Sequence, residues 1–342
     1  MAVEFVASVV PASQASVRSD PDYPVQAASL LDEAGFDKLL IGYSASAPDG
    51  LLVANEVLTT TSALGVVVTQ VPGVAAPTVA ARQHATLAAF HPGRVGLHAV
   101  GDLLGADASR DADSGSPDER AARAAEFLEV VRLAWRSRRA FDYAGEYYRI
   151  AGAHSAVRPA SGDLQVYFSG ESPADLRVGA AQADVFLLQA QSVSAMARRI
   201  AEIRSAAAQH GRSPRFGVSL RLLASPEQRP VRDRLRFVTE AGPAGPGPGP
   251  WSWSGSPGDP GRPAAAPVWV PPGIPLARGA GVTSRVRVAG GYDEVARGLL
   301  DYVEIGVSTL VIGHDPYLEA ADCAEVITRV REAAASRRRA VI

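Results

Sequence analysis

Val, Ile and Leu recur along this chain in short unbroken runs, and between those runs apolar residues return every three or four positions. Short continuous runs suit strands buried on both faces, whereas the longer helical period suits segments with one apolar stripe. The pattern predicts eight strands, at Val3–Val10, Lys38–Gly42, Gly65–Gln70, Arg94–Val100, Gln165–Ser169, Val185–Gln189, Arg215–Leu223 and Thr309–Gly313. Amphipathic stretches lie between them, at Val25–Ala34, Thr78–Ala89, Glu119–Ser137, Val193–Gln209, Tyr292–Ile305 and Leu318–Ala335. Strand and helix alternating nearly from end to end is the signature of parallel βα units, and eight strands match a closed (β/α)8 TIM barrel. A doubly wound open sheet is the rival, but the first strand runs into Pro11-Ala-Ser-Gln and not into a Gly-rich phosphate turn.

Two segments interrupt the alternation within what reads as a single barrel domain spanning residues 1–342. Residues 101–118 are rich in Asp, Ser and Gly and form an acidic loop after the fourth strand, on the face where barrel enzymes keep their active sites. Residues 242–275 fall between strands seven and eight, and more than half of them are Pro or Gly, which rules out a regular element interior. Composition alone reads this insertion as disordered. Three of the four tryptophans, Trp251, Trp253 and Trp269, lie in it, and they favour a lid with an aromatic underside.

Composition narrows the partners. At 47% hydrophobic and 20% charged the chain can bury a full core, which excludes a disordered or fibrous protein. A formal charge of −2 offers no basic excess for a nucleic-acid backbone. Cys323 is the only cysteine, so no disulfide framework is expected and a reducing cytoplasm fits. The first ten residues lack the basic start of a signal peptide, and no apolar run reaches the roughly 18 residues of a spanning helix. A soluble, cytoplasmic protein with no membrane partner is the expectation.

The strongest local signal is Val71-Pro-Gly-Val-Ala-Ala-Pro-Thr-Val-Ala-Ala-Arg-Gln-His-Ala-Thr-Leu, followed by His91-Pro-Gly-Arg-Val-Gly-Leu-His-Ala-Val. By itself it describes strand, helix, turn and strand, with Arg82 and Gln83 on a solvated helix face. With Asp118-Glu-Arg, Ala125-Glu-Phe, Tyr167-Phe-Ser-Gly-Glu-Ser, Arg278-Gly-Ala-Gly and Asp315-Pro-Tyr-Leu-Glu in the same order, the chain resembles the luciferase-like flavin monooxygenases. The alkanesulfonate monooxygenase branch is the most similar part of that family. The resemblance implies a TIM barrel with an insertion between strands seven and eight, and FMNH2 supplied by a separate flavin reductase. It also implies O2 chemistry through a flavin hydroperoxide on a small organic substrate, and a homo-oligomer.

Site residues follow from the same resemblance. Ser169, Gly170 and Ser172 match the family's turn for the FMN phosphate, and small residues with hydroxyls and free N–H groups at a helix start suit an anion. Glu171 must point away from a phosphate there. Arg278 matches an arginine after the mobile insertion and would act as anion ligand or lid latch. His98 stands where the family has an asparagine at the end of the fourth strand; it would donate toward the flavin and, with a pKa near the free value of about 6.5, move a proton. Gln189, Arg221 and Asp315 stand at other substrate-side positions, with different side chains from those of the sulfonate branch, and Ala121 replaces a tyrosine. Such exchanges leave two alternatives open. One is a non-catalytic barrel that has lost flavin binding and serves as a partner subunit; the other is an oxidoreductase using the deazaflavin F420. His84, His91, His154 and His210 lack metal-ligand spacing, and no metal site is expected.

Overall fold

The computed structural model describes residues 2–9, 22–43, 47–101, 115–160, 162–226, 287–314 and 316–339. Its strands are β1 (Glu4–Val9), β2 (Lys38–Ile41), β3 (Gly65–Gln70), β4 (Val95–Val100), β5 (Phe141–Ala144), β6 (Arg149–Ala153), β7 (Gln165–Ser169), β8 (Val185–Gln189), β9 (Arg215–Ala224), β10 (Arg287–Gly290) and β11 (Val307–His314). The helices are α1 (Asp22–Glu33), α2 (Gly50–Thr60), α3 (Pro77–Phe90), α4 (Pro117–Arg136), α5 (Pro173–Gln182), α6 (Val193–Gln209), α7 (Tyr292–Glu304) and α8 (Pro316–Arg339). All eight expected strands form, with ends shifted by no more than a few residues. Strand pairing runs β9-β11-β1-β2-β3-β4-β7-β8, and β8 also pairs with β9, so the eight strands make the closed parallel sheet of a (β/α)8 barrel. Strand β10 is an addition: four residues that run parallel beside the end of β9, from Arg287 opposite Arg221 to Gly290 opposite Ala224.

The residues sort into two compact units. The first comprises Met1–Leu39, Gln189–Ala201 and Phe216–Ile342. In it β1 pairs in parallel with β11, Phe5 opposite Leu310. Glu4 bridges the pair at its start, accepting from Thr309 Oγ1 at 2.9 Å and holding Lys38 Nζ at 3.0 Å. Helix α7 turns Val295, Leu299 and Leu300 inward, and α8 does the same with Val326, Ile327 and Val330. Cys323 is buried among them as packing.

The second unit comprises Leu40–Leu188 and Glu202–Arg215. Helix α3 begins at Pro77, whose fixed φ suits a first helical position, and buries Ala80, Ala81, His84, Ala85 and Ala88. Arg82 and Gln83 are exposed, as expected, so this motif owes its small-residue stripe to packing. Gly93, at φ +77°, turns the chain toward β4. Arg94 then clamps the end of α2 through the carbonyls of Leu58 and Leu64 and the hydroxyl of Thr61. Trp135 of α4 donates its indole N–H to the Ala81 carbonyl at 2.9 Å.

Some elements depart from expectation. Helix α2 starts beside a glycine, and the Asp49 carboxylate caps it by accepting from the Leu51 and Leu52 N–H groups. Strands β5 and β6 form an antiparallel hairpin with no apolar run to announce it. Glu126 of α4 holds it from below, accepting from the N–H groups of Glu146, Tyr147 and Tyr148. The acidic loop ends earlier than composition suggests, because Ser116 caps α4 and Asp118 and Glu119 lie in the first helical turn. The rest of that loop, residues 102–114, and the Pro/Gly-rich segment 242–275 lie outside the described residues. Among the described residues no helix is long and apolar enough to cross a membrane.

Candidate active site at the ends of β3, β4 and β7

Strand alternation decides which side chains face the barrel interior. Helix α5 lays Gly179 against Phe168 of β7 and Phe186 of β8, and those two rings meet edge-on with centroids 6.0 Å apart. Phe168 therefore faces the helix layer, and its neighbours Tyr167 and Ser169 face inward. Two inward layers result. In the lower one Tyr167 lies over Gly96 and donates its hydroxyl to Gln165 at 2.6 Å. Toward the C-terminal strand ends Thr69 stands opposite His98, and Ser169 lies two residues beyond His98's register partner Tyr167, so the three form a diagonal row across three adjacent strands.

His98 joins the row. Its Nδ1 lies 3.0 Å from Thr69 Oγ1 and its Nε2 lies 2.6 Å from Ser169 Oγ. Burial lowers its pKa to about 3, because a charged imidazole loses its hydration there. The ring is neutral at working pH, so one nitrogen donates to a hydroxyl and the other accepts from one. The expected proton transfer near pH 6.5 is corrected on this ground. His98 acts as a fixed hydrogen-bond bridge, and both ring nitrogens already have partners. Buried His84 is similar: Nδ1 donates to the Ala80 carbonyl at 2.9 Å, and burial lowers its pKa to about 4.

Above the row, the Gly101 N–H donates to the Ser169 carbonyl at 3.1 Å and the turn 170–172 leads into α5. Ser172 is the N-cap, Pro173 follows it, and Asp175 completes a capping box. The Asp175 carboxylate accepts from Ser172 N–H at 3.1 Å and from Ser172 Oγ at 2.7 Å, and Asp175 N–H donates back to Ser172 Oγ at 3.0 Å. A methyl group added at Gly170 or at Gly101 would overlap the Asp175 side chain, so that carboxylate fills the space over the ends of β4 and β7. Glu171 is exposed, consistent with pointing away.

A phosphate does not fit this turn as it stands. Ser169, expected to bind it, has its hydroxyl on His98; Ser172 has its hydroxyl and N–H on Asp175; Gly170 is covered; and Pro173 has no N–H. Of the other expected residues, Gln189 is the half-buried last residue of β8 and Arg221 is half-buried in β9, with its Nε out of water and without a hydrogen bond. Both belong to the first compact unit. Arg278 and Asp315 lie outside the described residues. Thr69 and Asp175 escaped the sequence reading. The Ser172-x-x-Asp175 spacing does signal a capping box, whereas nothing in the sequence signals Thr69, because only strand register sets it beside His98. Among the described residues no group of three His, Cys, Asp or Glu side chains could hold a metal ion.

Fold and strand-end polarity define an enzyme of the α/β-barrel class. The chain belongs to the luciferase-like monooxygenase family, which matches residues 1–309, and is thereby an oxidoreductase. Solved structures agree on the fold. The EDTA monooxygenase of Chelativorans sp. BNC1 is 19% identical with a TM-score of 0.72, covering 98% of this chain and 94% of that one. The oxygenating constituent of a 3,6-diketocamphane monooxygenase from Pseudomonas putida, in complex with FMN, is 16% identical with a TM-score of 0.72, covering 97% and 99%. An F420-dependent secondary alcohol dehydrogenase, in complex with an F420-acetone adduct, is 15% identical with a TM-score of 0.72, covering 96% and 99%.

Proposed function

We propose that this protein is the oxygenating component of a two-component monooxygenase. It takes FMNH2 from a separate flavin reductase and uses O2 to oxidise a small organic substrate. One oxygen atom goes to the substrate, the other leaves as water, and FMNH2 is oxidised to FMN. Family membership supports the reaction class. The observation that carries its location is the Thr69–His98–Ser169 row, buried polarity at the strand ends where barrel enzymes gather their chemistry.

The chain's own part is to present an uncharged, pre-oriented surface. His98 holds the two hydroxyls in place without storing a proton, and the buried wall of Tyr167, Gly96 and Val67 around it keeps water out. The motifs point toward the alkanesulfonate branch, but Ser219 and Arg221 replace that branch's arginine and histidine, which favours a substrate other than a sulfonate. A cytoplasmic homo-oligomer completes the reading, and light scattering on the purified chain checks the assembly.

An anaerobic titration tests the cofactor. Saturable binding of FMNH2, followed on addition of O2 by oxygen uptake that depends on a candidate substrate, supports the proposal. Binding of reduced F420 alone moves the chain to hydride transfer. Binding of neither overturns the flavin reading.

A further inference from the structure

We infer that Asp175 is a specificity-determining residue that keeps a cofactor phosphate out of the turn between β7 and α5, where the protein's own carboxylate takes the anion's place. The inference rests on the flavin reading above. Its experiment separates the two.

Five observations carry it. The N-terminus of α5 has a partial positive charge from its free N–H groups, but the Asp175 carboxylate already lies on the Ser172 N–H and hydroxyl. Pro173 removes one donor, and the Asp175 N–H is held by Ser172 Oγ. Space is the third constraint: Gly101 and Gly170 approach the Asp175 side chain so closely that even a methyl group would collide with it. Asp175 is 2% exposed, so water does little to screen it from a second anion brought alongside. The hydroxyl of Ser169, which could otherwise turn upward, is held 2.6 Å from His98.

A flavin seated on this barrel gains nothing from its phosphate at α5. The test is calorimetric titration of the full chain with FMN and with riboflavin, beside Asp175→Asn, Asp175→Ser and Ser172→Ala. Wild type is expected to bind the two flavins within about twofold of each other. Asp175→Asn keeps the cap and removes the charge, and it should shift the ratio toward FMN by about tenfold or more. Asp175→Ser clears the space and should act in the same direction. A wild-type preference for FMN of tenfold or more that Ser172→Ala abolishes overturns the inference. The same preference left intact by Ser172→Ala defeats the twofold expectation, and the inference then stands only if Asp175→Asn raises the preference by a further tenfold and falls if it does not.

Should neither flavin bind wild type, the flavin reading fails and inorganic phosphate decides the inference. Thermal unfolding of wild type is then expected to be the same in phosphate as in chloride at equal ionic strength, and Asp175→Asn should gain a saturable upward shift. Phosphate stabilisation of wild type that Ser172→Ala removes overturns the inference. So does an Asp175→Asn variant with a native circular dichroism spectrum that gains neither the FMN preference nor the phosphate shift. If neither Asp175 variant folds, the wild-type measurements alone decide it.

Discussion

At the N-terminal ends of β7 and β8, Arg132 reaches from α4 to Asp163 at 2.8 Å and to Asp184 at 3.1 Å, and donates to the Gln182 carbonyl. Arg212 adds a second contact to Asp184 at 2.7 Å, Arg136 pairs with Asp163, and the Val166 N–H donates to Asp184. At the C-terminal ends of β4 and β7 the described contacts are of another kind: a neutral imidazole lies between two hydroxyls, and Asp175 folds back on its own helix cap. Each carboxylate at the first end has two arginines, and that end ties helices to strands. The second end buries hydrogen bonds between uncharged groups in the row, with the Asp175 carboxylate held by its own helix cap beside it. The difference teaches that polarity is used for cohesion at one end of the strands and for orientation at the other.

Acid should break the comparison with the largest effect. His84 and His98 have pKa values lowered to about 4 and about 3 from an ordinary 6.5. Below pH 6.5 the unfolded chain takes up these protons and the folded chain does not. Stability is therefore full above pH 6.5 and falls with falling pH until each folded pKa is passed. The two histidines together should cost about 5 kcal/mol between pH 6.5 and pH 4.5. Urea midpoints across that range check it, and His84→Asn should halve the slope due to this pair.

Next in size is Arg132→Ala. It strips one partner from each of two part-buried carboxylates, and Arg136 and Arg212 remain to soften the loss. A destabilisation of about 3 kcal/mol is expected with an unchanged m-value. A loss under about 0.5 kcal/mol would mean that the network behaves as an ordinary surface pair.

Ser169→Ala or Thr69→Val should each cost about 1–3 kcal/mol, since either leaves a buried ring nitrogen without its hydroxyl. The double variant should cost less than the sum, because both changes act through one imidazole. Stability of each variant by chemical denaturation and substrate-dependent oxygen uptake would be read together: a larger fall in uptake than in folded fraction ties the row to the reaction. The smallest effect is Ser172→Ala, about 1 kcal/mol by thermal unfolding, the ordinary worth of a helix cap.

Several elements were legible to the residue in the sequence: β3, β7, β8 and α6 begin and end where the apolar pattern does. The hairpin of β5 and β6 was not, because its alternation is half-exposed and it is held by the Glu126 side chain of the preceding helix. His98 and Ser169 were readable as polar residues at strand ends, and their partnership was not.

Periodicity, caps and turns are local, so the order of residues alone determined the βα alternation, the barrel class and the Ser172-x-x-Asp175 cap. Tertiary structure decided the rest. Parallel register put Thr69 opposite His98, a diagonal contact past His98's register partner brought in Ser169, burial lowered the pKa of His98, and close packing of Gly101 and Gly170 gave the Asp175 carboxylate the space above the strands. These depend on which strands adjoin and on how much water is excluded between them, and both are set by contacts between residues far apart in the chain.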